Sequence, residues 1–197
     1  MNQPVTVLAP GLADPGHDAQ RLFRAVLDAF AHPGRITSLP DPPAGPGAIC
    51  PATAAYLLTL VDRDTPLWLA PEFDLPAVRD FVRFHTGAPI VVERDQAAFA
   101  VLAHDAVSLD GYAIGTDPYP DRSATLVIEV PVLGAGPTKH WRGPGIDGRT
   151  AVAVGGLGAD FWQAWSLNHA LFPCGVDIVF AAGSQLLALP RSIAVEG

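Results

Sequence analysis

Lysine is almost missing from this chain: Lys139 is the only one among 197 residues. A Schiff base, with a carbonyl substrate or with pyridoxal phosphate, is therefore open to one position only. Cysteine is nearly as scarce. Cys50 and Cys174 are the only two, too few for a disulfide framework and too far apart in sequence for a cysteine-based metal site. The six histidines (His17, His32, His85, His104, His140 and His169) include no i, i+4 pair that would set two ligands on one helix face, so no metal is expected. Uninterrupted apolar runs of about 18 residues do not occur, which argues against a membrane span.

Positive charge is also thin. Twelve basic residues face twenty acidic ones, a formal charge of −8 at pH 7. Such a surface repels a phosphate backbone, so nucleic-acid binding is not expected. A phosphate-like ligand would need a local arginine cluster. The opening "MNQPVTVLAPGLADPG" has neither a basic stretch nor an apolar core of the signal-peptide kind, and a cytoplasmic protein is expected.

What the chain has in plenty is apolar side chains. Hydrophobic residues make up 49% and charged residues 16%, against about 25% charged in an ordinary soluble domain. The surplus can go into a sheet covered on both faces or into a subunit interface. At this length one domain, residues 1–197, can bury a core unaided.

Residues 1–16 read as an extended N-terminal segment. "DAQRLFRAVLDAFA" then repeats its apolar residues Leu22, Phe23, Val26, Leu27 and Phe30 as one helical stripe. It stops at "HPG", where the residue before Pro33 is driven out of the helical region. "RITSL" reads as a short strand. Residues 40–51 hold five prolines and two glycines and form a loop. "ATAAYLLTLVD" reads as a helix buried nearly all round, "TPLWLA" as a strand, and "PAVRDFVRFH" as a helix opened by Pro76. "APIVV", "AAFAVLA", "ATLVIEVPVL" and "TKHWR" are strand-like, the last two expected to pair as a hairpin through "GAGP". A helix from about Asp160 and the strands "VDIVFAA" and "QLLALPRS" complete an α/β fold with a mixed central sheet flanked by helices.

"RGPGIDGR" contains a literal G-x-G-x-x-G at Gly143, Gly145 and Gly148. Dinucleotide binding needs a helix opening at the last glycine, because the unpaired N–H groups of that helix hold the pyrophosphate. Here "RTAVAV" follows, which alternates like a strand, so the segment is expected to be a turn between strands. No G-x-S-x-G elbow or Walker loop occurs. Lys139, beside His140, reads as a solvated strand residue. His85 lies on the apolar face of its helix, where a backbone-bonded histidine is expected more than a ligand. Asp62 and Asp64 sit at a helix-to-strand turn and read as turn formers. Cys174 has no basic neighbour in sequence to activate it. Arg191 ends a strand, where α/β sheets often present ligand groups.

Several segments resemble one known family when taken in order: "FRAVLDAFAHPGRI", "LLTLVDRDTPLWL", "VRFHTGAP", "AAFAV", "GTDPYP" with "ATLVIEV", "GPGI", and "FPCGVDIVFAAGSQLLALPR". Together they are similar to the H subunit of the bacterial carbon–phosphorus lyase system. The resemblance implies a cytoplasmic core complex with G, I and J subunits, working with an ATP-binding-cassette-like L protein. That assembly joins a phosphonate to ribose C1 of ATP and expels adenine. It further implies a fold like that of pyridoxal-phosphate-dependent transferases without the cofactor, and a homodimer. It supplies no catalytic set. Arg83 and His85 of "RFHT", Asp62, Asp64 and Thr65 of "DRDTP", and Asp177 and Arg191 near the C-terminus carry over as candidate ligand or interface residues. Two roles are open: a docking subunit without catalytic residues of its own, or one that binds nucleotide or phosphonate through Arg83, His85 and Arg191.

Overall fold

The computed structural model describes residues 8–105 and 107–197. Among the described residues four α-helices and eleven strands follow one another: α1 (Pro15–Ala31), β1 (Thr37–Ser38), α2 (Pro51–Leu60), β2 (Leu67–Leu69), α3 (Pro76–Thr86), β3 (Phe99–Ala103), β4 (Ile114–Thr116), β5 (Tyr119–Ser123), β6 (Thr125–Glu129), β7 (Leu133–Arg142), β8 (Thr150–Val154), α4 (Ala159–Ala170), β9 (Asp177–Ala182), β10 (Gln185–Leu189) and β11 (Ala194–Glu196). The central sheet has the order β1-β10-β9-β6-β3-β2. Its pairs β2–β3, β3–β6 and β6–β9 are parallel, while β9–β10 and β10–β1 are antiparallel. The mixed sheet expected from the sequence is therefore present.

Alternation along the strands assigns the layers. Phe99, Thr125 and Asp177 are in register across β3, β6 and β9, and Tyr56 of α2 meets Phe99 edge-on at 6.0 Å. Phe180, three residues beyond Asp177, points to the other face and meets Phe161 of α4 at 5.8 Å. Helix α2, on the first face, neighbours both α1 and α3. Helix α4 covers the second with a three-stranded sheet of order β11-β7-β8. Covered on both sides, β3, β6 and β9 are apolar almost throughout, as parallel strands must be.

Helices α1, α2 and α3 each have a local cause. Pro15, Pro51 and Pro76 occupy the first turns of α1, α2 and α3, where a missing N–H costs nothing. Helix α1 thus starts two residues inside the stretch expected to be extended, and Pro51 belongs to α2 rather than to the loop before it. Asp14 caps α1 by accepting the His17 N–H at 3.2 Å. In α2 every residue from Ala52 to Leu57 is buried, matching its nearly unbroken apolar sequence. The α1 stripe is split: Leu22 and Val26 are buried, whereas Phe23 and Leu27 are 42% and 51% exposed.

Two sequence expectations need correction. "GAGP" makes no hairpin between β6 and β7, because β3 and β9 occupy both edges of β6. Instead Gly134–Pro137 form an irregularity inside β7, where its register against β8 shifts between Leu133 and Thr138. "APIVV" contributes only an isolated bridge from Ile90 to Leu67. The β4–β5 hairpin and β11 had no counterpart in the sequence reading. The glycine pattern, by contrast, does form a turn: residues 143–149 join β7 to β8, and no helix opens at Gly148.

Candidate functional site

Asp177 opens β9, and Arg191 follows Pro190 at the end of β10; the β9–β10 pairing brings them together. Asp177 Oδ1 accepts both the Arg191 backbone N–H at 2.8 Å and its Nε–H at 3.1 Å. Nη2 donates to Asp177 Oδ2 and to Ser123 Oγ, and Nη1 donates to the Pro120 carbonyl at 2.8 Å. The two charged side chains are only 13% and 20% exposed. Four of the five guanidinium N–H donors are thus used, two on Asp177 and two on the β4–β5 hairpin, which Arg191 ties to the central sheet. Burial first, and then the Asp177 charge, push the neighbouring Tyr56 phenol well above its ordinary range, so it stays a neutral hydroxyl.

Asp62, Asp64 and Thr65 form a closed turn between α2 and β2. Asp62 N–H donates to Thr65 Oγ1 at 2.7 Å, Asp64 N–H to Asp62 Oδ1 at 2.9 Å, and Thr65 Oγ1–H faces the Asp62 carbonyl at 3.1 Å. The turn holds itself with its own polar groups, as short polar side chains do at such junctions. Gly87, just past α3, lies beside Arg63 of this turn, so α3 ends next to it. There His85 Nε2–H donates to the Ala9 carbonyl at 3.0 Å, and its ring packs on Phe81 and Phe84 with centroids at 4.8 and 5.0 Å. Gly11 lies so close over the imidazole that an added Cβ would sit 2.7 Å from it. His85 therefore ties the chain before α1 onto α3. Arg83, two residues before His85 and so on the other side of α3, is exposed.

These residues do not converge. Asp62, Asp64, Thr65, Arg83 and His85 gather at the β2 edge. Asp177 and Arg191 lie at β9, three strand spacings away, roughly 14 Å in a sheet with strands about 4.8 Å apart. A single ligand gripping Arg83, His85 and Arg191 together would have to span that width.

Two groupings escaped the sequence reading. At the start of α2, the Cys50 N–H donates to Glu129 Oε1 at 2.7 Å, and Cys50 Sγ lies 3.4 Å from Thr53 Oγ1. The Glu129 carboxylate, at the end of β6, thus meets the positive end of the helix dipole. Burial and then the Glu129 charge push the Cys50 thiol up. No local sequence signal joins residues 79 positions apart. The second grouping surrounds the glycine turn. Gly145 and Ile146 lie against the end of α1 and, with His32, Arg35 and Arg149, border a shallow depression of about 410 Å³. Arg35 is already paired with Asp28, and the negative end of the α1 dipole faces this depression, which disfavours an anion there.

Lys139 extends from β7 opposite Val152 of β8 and donates to the Gly197 carbonyl. An apolar cross-strand neighbour and a backbone carbonyl do not make a pyridoxal phosphate cradle, which needs an acid for the ring nitrogen and donors for the phosphate.

Family comparison accounts for nearly the whole chain. Residues 10–196 match the model of the bacterial phosphonate metabolism protein (PhnH) family. The chain belongs to the PhnH family. The PhnH match begins just before the Asp14 cap and ends with β11, so it takes in the three sheets and four α-helices of the described residues. The chain is similar to the alpha-D-ribose 1-methylphosphonate 5-triphosphate synthase subunit PhnH of Rhizobium meliloti (strain 1021), with 40% identity over 192 residues, 96% of each chain. It is also similar to the HtxG protein of Stutzerimonas stutzeri, named for a C-P lyase subunit, with 32% identity over 174 residues, 88% of this chain and 83% of that one. The resemblance read from the ordered segments is confirmed at the level of the family.

Proposed function

We propose that this chain is the H-type subunit of a carbon–phosphorus lyase core assembly in phosphonate catabolism, working with G, I and J subunits. In the reaction of that assembly a phosphonate oxygen bonds to ribose C1 of ATP as the bond from C1 to adenine breaks. Adenine leaves, and a ribose 1-phosphonate 5-triphosphate remains. The observation that carries this reading is the 40% identity to a named synthase subunit across 96% of both chains.

Within the assembly its contribution is docking. The polar side chains singled out in the sequence work for the fold: Arg191 and Asp177 fasten a hairpin, Asp62 and Thr65 close a turn, and His85 secures the chain before α1. The exposed apolar surplus, including Phe23 and Leu27 of α1 and Leu167 of α4, suits contacts with other chains. A homodimer, a cytoplasmic location and a fold resembling that of pyridoxal-phosphate-dependent transferases without the cofactor belong to the same proposal. No helix among the described residues is long and apolar enough to cross a membrane.

Co-expression with the G, I and J subunits, followed by gel filtration with light scattering, tests this. One co-eluting species is expected, and adenine release from ATP and methylphosphonate should require the assembly. Separate elution under mild salt overturns the subunit reading. Adenine release by this chain alone overturns the docking role.

A further inference from the structure

Helix α4 is apolar on two sides. Phe161 and Trp165 are buried, Phe161 against Phe180 of the central sheet and Trp165 with its Nε1–H donating to the Ile193 carbonyl at 3.1 Å. Ala164, Leu167 and Leu171 follow at spacings of three and four, the repeat that lines up one stripe along a helix. Leu167 is 67% exposed and Leu171 48%. A groove of about 570 Å³ runs beside this stripe, its opposite wall formed by Leu109, Gly111, Tyr112 and Ile114. Phe172, 60% exposed, continues the apolar surface past the helix end. Most large apolar side chains among the described residues are buried, and this stripe and groove form an apolar surface that no other described residue covers.

The groove is also held rigid from below. The Gly175 N–H donates to the Ile114 carbonyl at 2.9 Å, and Arg191 fastens β5 through Pro120 and Ser123. The wall that carries Ile114 therefore cannot drift from α4 without breaking that clamp.

Charge selects the occupant. Asp110 borders the groove, and Asp117 lies beside Cys174 near the end of α4, with Sγ to Oδ1 at 3.7 Å. Both are exposed, and neither appears in an ion pair among the described residues. Arg94 reaches only the main-chain carbonyl of Asp110, at 3.5 Å, while its guanidinium lies over the Trp68 and Tyr112 rings at 4.7 and 5.4 Å. A second copy of this chain would bring the same carboxylates and the same net charge of −8 against the face. A cationic partner meets neither cost.

We propose that the α4 stripe and its groove receive an amphipathic helix from another subunit of the assembly, with apolar residues at three- and four-residue spacing and arginine or lysine along its flanks. Apolar anchors in a groove supply affinity, and flanking charge sets orientation. This rests on the proposed function, because that reading supplies the other chain.

The test uses the full chain co-expressed with the G, I and J subunits. Leu167→Asp changes an exposed position, so circular dichroism and the unfolding midpoint should match the parent. Capture of the other subunits is expected to fall roughly 30-fold, as for loss of a central anchor worth about 2 kcal/mol. Asp110→Lys should weaken capture at low salt and less so at high salt. Failure of the parent chain to co-elute sinks the underlying subunit reading. If the parent co-elutes, undiminished capture by Leu167→Asp overturns the docking face. So does loss of capture by Phe23→Asp on α1 but not by Leu167→Asp. If light scattering shows that Leu167→Asp dissociates a complex of this chain with itself, the occupant is a second copy and the proposal fails.

Discussion

Arg191 donates its own backbone N–H and its Nε–H to one oxygen of Asp177, Oδ1, at 2.8 and 3.1 Å. The pair is mostly buried, so removing one partner leaves a charge without its counterion in a poorly solvated place. Arg191→Ala should therefore cost about 3–5 kcal/mol, the range for breaking buried pairs. It should also free the β4–β5 hairpin. Replacing both residues by apolar ones of similar size should recover much of that loss, because no charge is then stranded. Urea unfolding of the single and double variants checks this. A double variant as unstable as Arg191→Ala would show that the hydrogen bonds to Pro120 and Ser123, not the charge pairing, dominate.

The same clamp shows where sequence reading stops. Arg191 was legible as a strand-end residue, and its nearness to Asp177 follows from the β9–β10 turn. Its other partners, Pro120 and Ser123, lie about 70 positions away, on a hairpin whose sequence "IGTDPYPDRS" lacks the apolar alternation that marks a strand. Helix α2 and strands β3, β6 and β9 were legible because burial on all sides leaves dense apolar runs. "GAGP" was misread because glycine and proline signal a turn locally, while pairing partners decide whether one forms. Phe23 and Leu27 joined the expected apolar stripe because an exposed apolar side chain has the same sequence signature as a buried one.

The glycine turn separates two costs. Gly148 has φ +68° with open space around the position of a Cβ, whereas Gly145 has φ +83° and a Cβ there would sit 2.4 Å from the Ala31 carbonyl oxygen. Gly148→Ala carries only the left-handed backbone penalty, about 1–2 kcal/mol. Gly145→Ala carries that penalty and a collision with the end of α1, and should lose about 3 kcal/mol or more. Unfolding midpoints compare the two. Equal losses would mean that the turn does not press on α1.

Asp14 caps α1 through the His17 N–H, and its carboxyl is held below the ordinary 3.8 by its side-chain bond to His17 and then by the backbone N–H. A depressed carboxyl pKa stabilises the fold above the unfolded value and loses that contribution as pH falls through the folded one. Asp14→Ala should therefore lower the thermal midpoint at neutral pH. The gap should close on acidification below about pH 4, where the parent carboxyl also protonates. A gap unchanged from pH 7 down to pH 2 would refute the cap.

The thiols should be slow nucleophiles. Partial desolvation, and then the Asp117 charge, push Cys174 above its ordinary value, and burial followed by Glu129 does the same for Cys50. The thiolate is the reacting form, so a raised pKa means less of it at neutral pH. At pH 7.5 both cysteines should react with iodoacetamide more slowly than glutathione does, each rate rising with pH. Asp117→Asn removes a carboxylate beside Cys174 and should speed that site alone. Cys50 should not follow, since its main constraint is burial rather than that charge. Peptide-resolved mass spectrometry reads the two rates separately. Labelling of Cys174 faster than glutathione would mean that a cationic influence outweighs Asp117 at the end of α4.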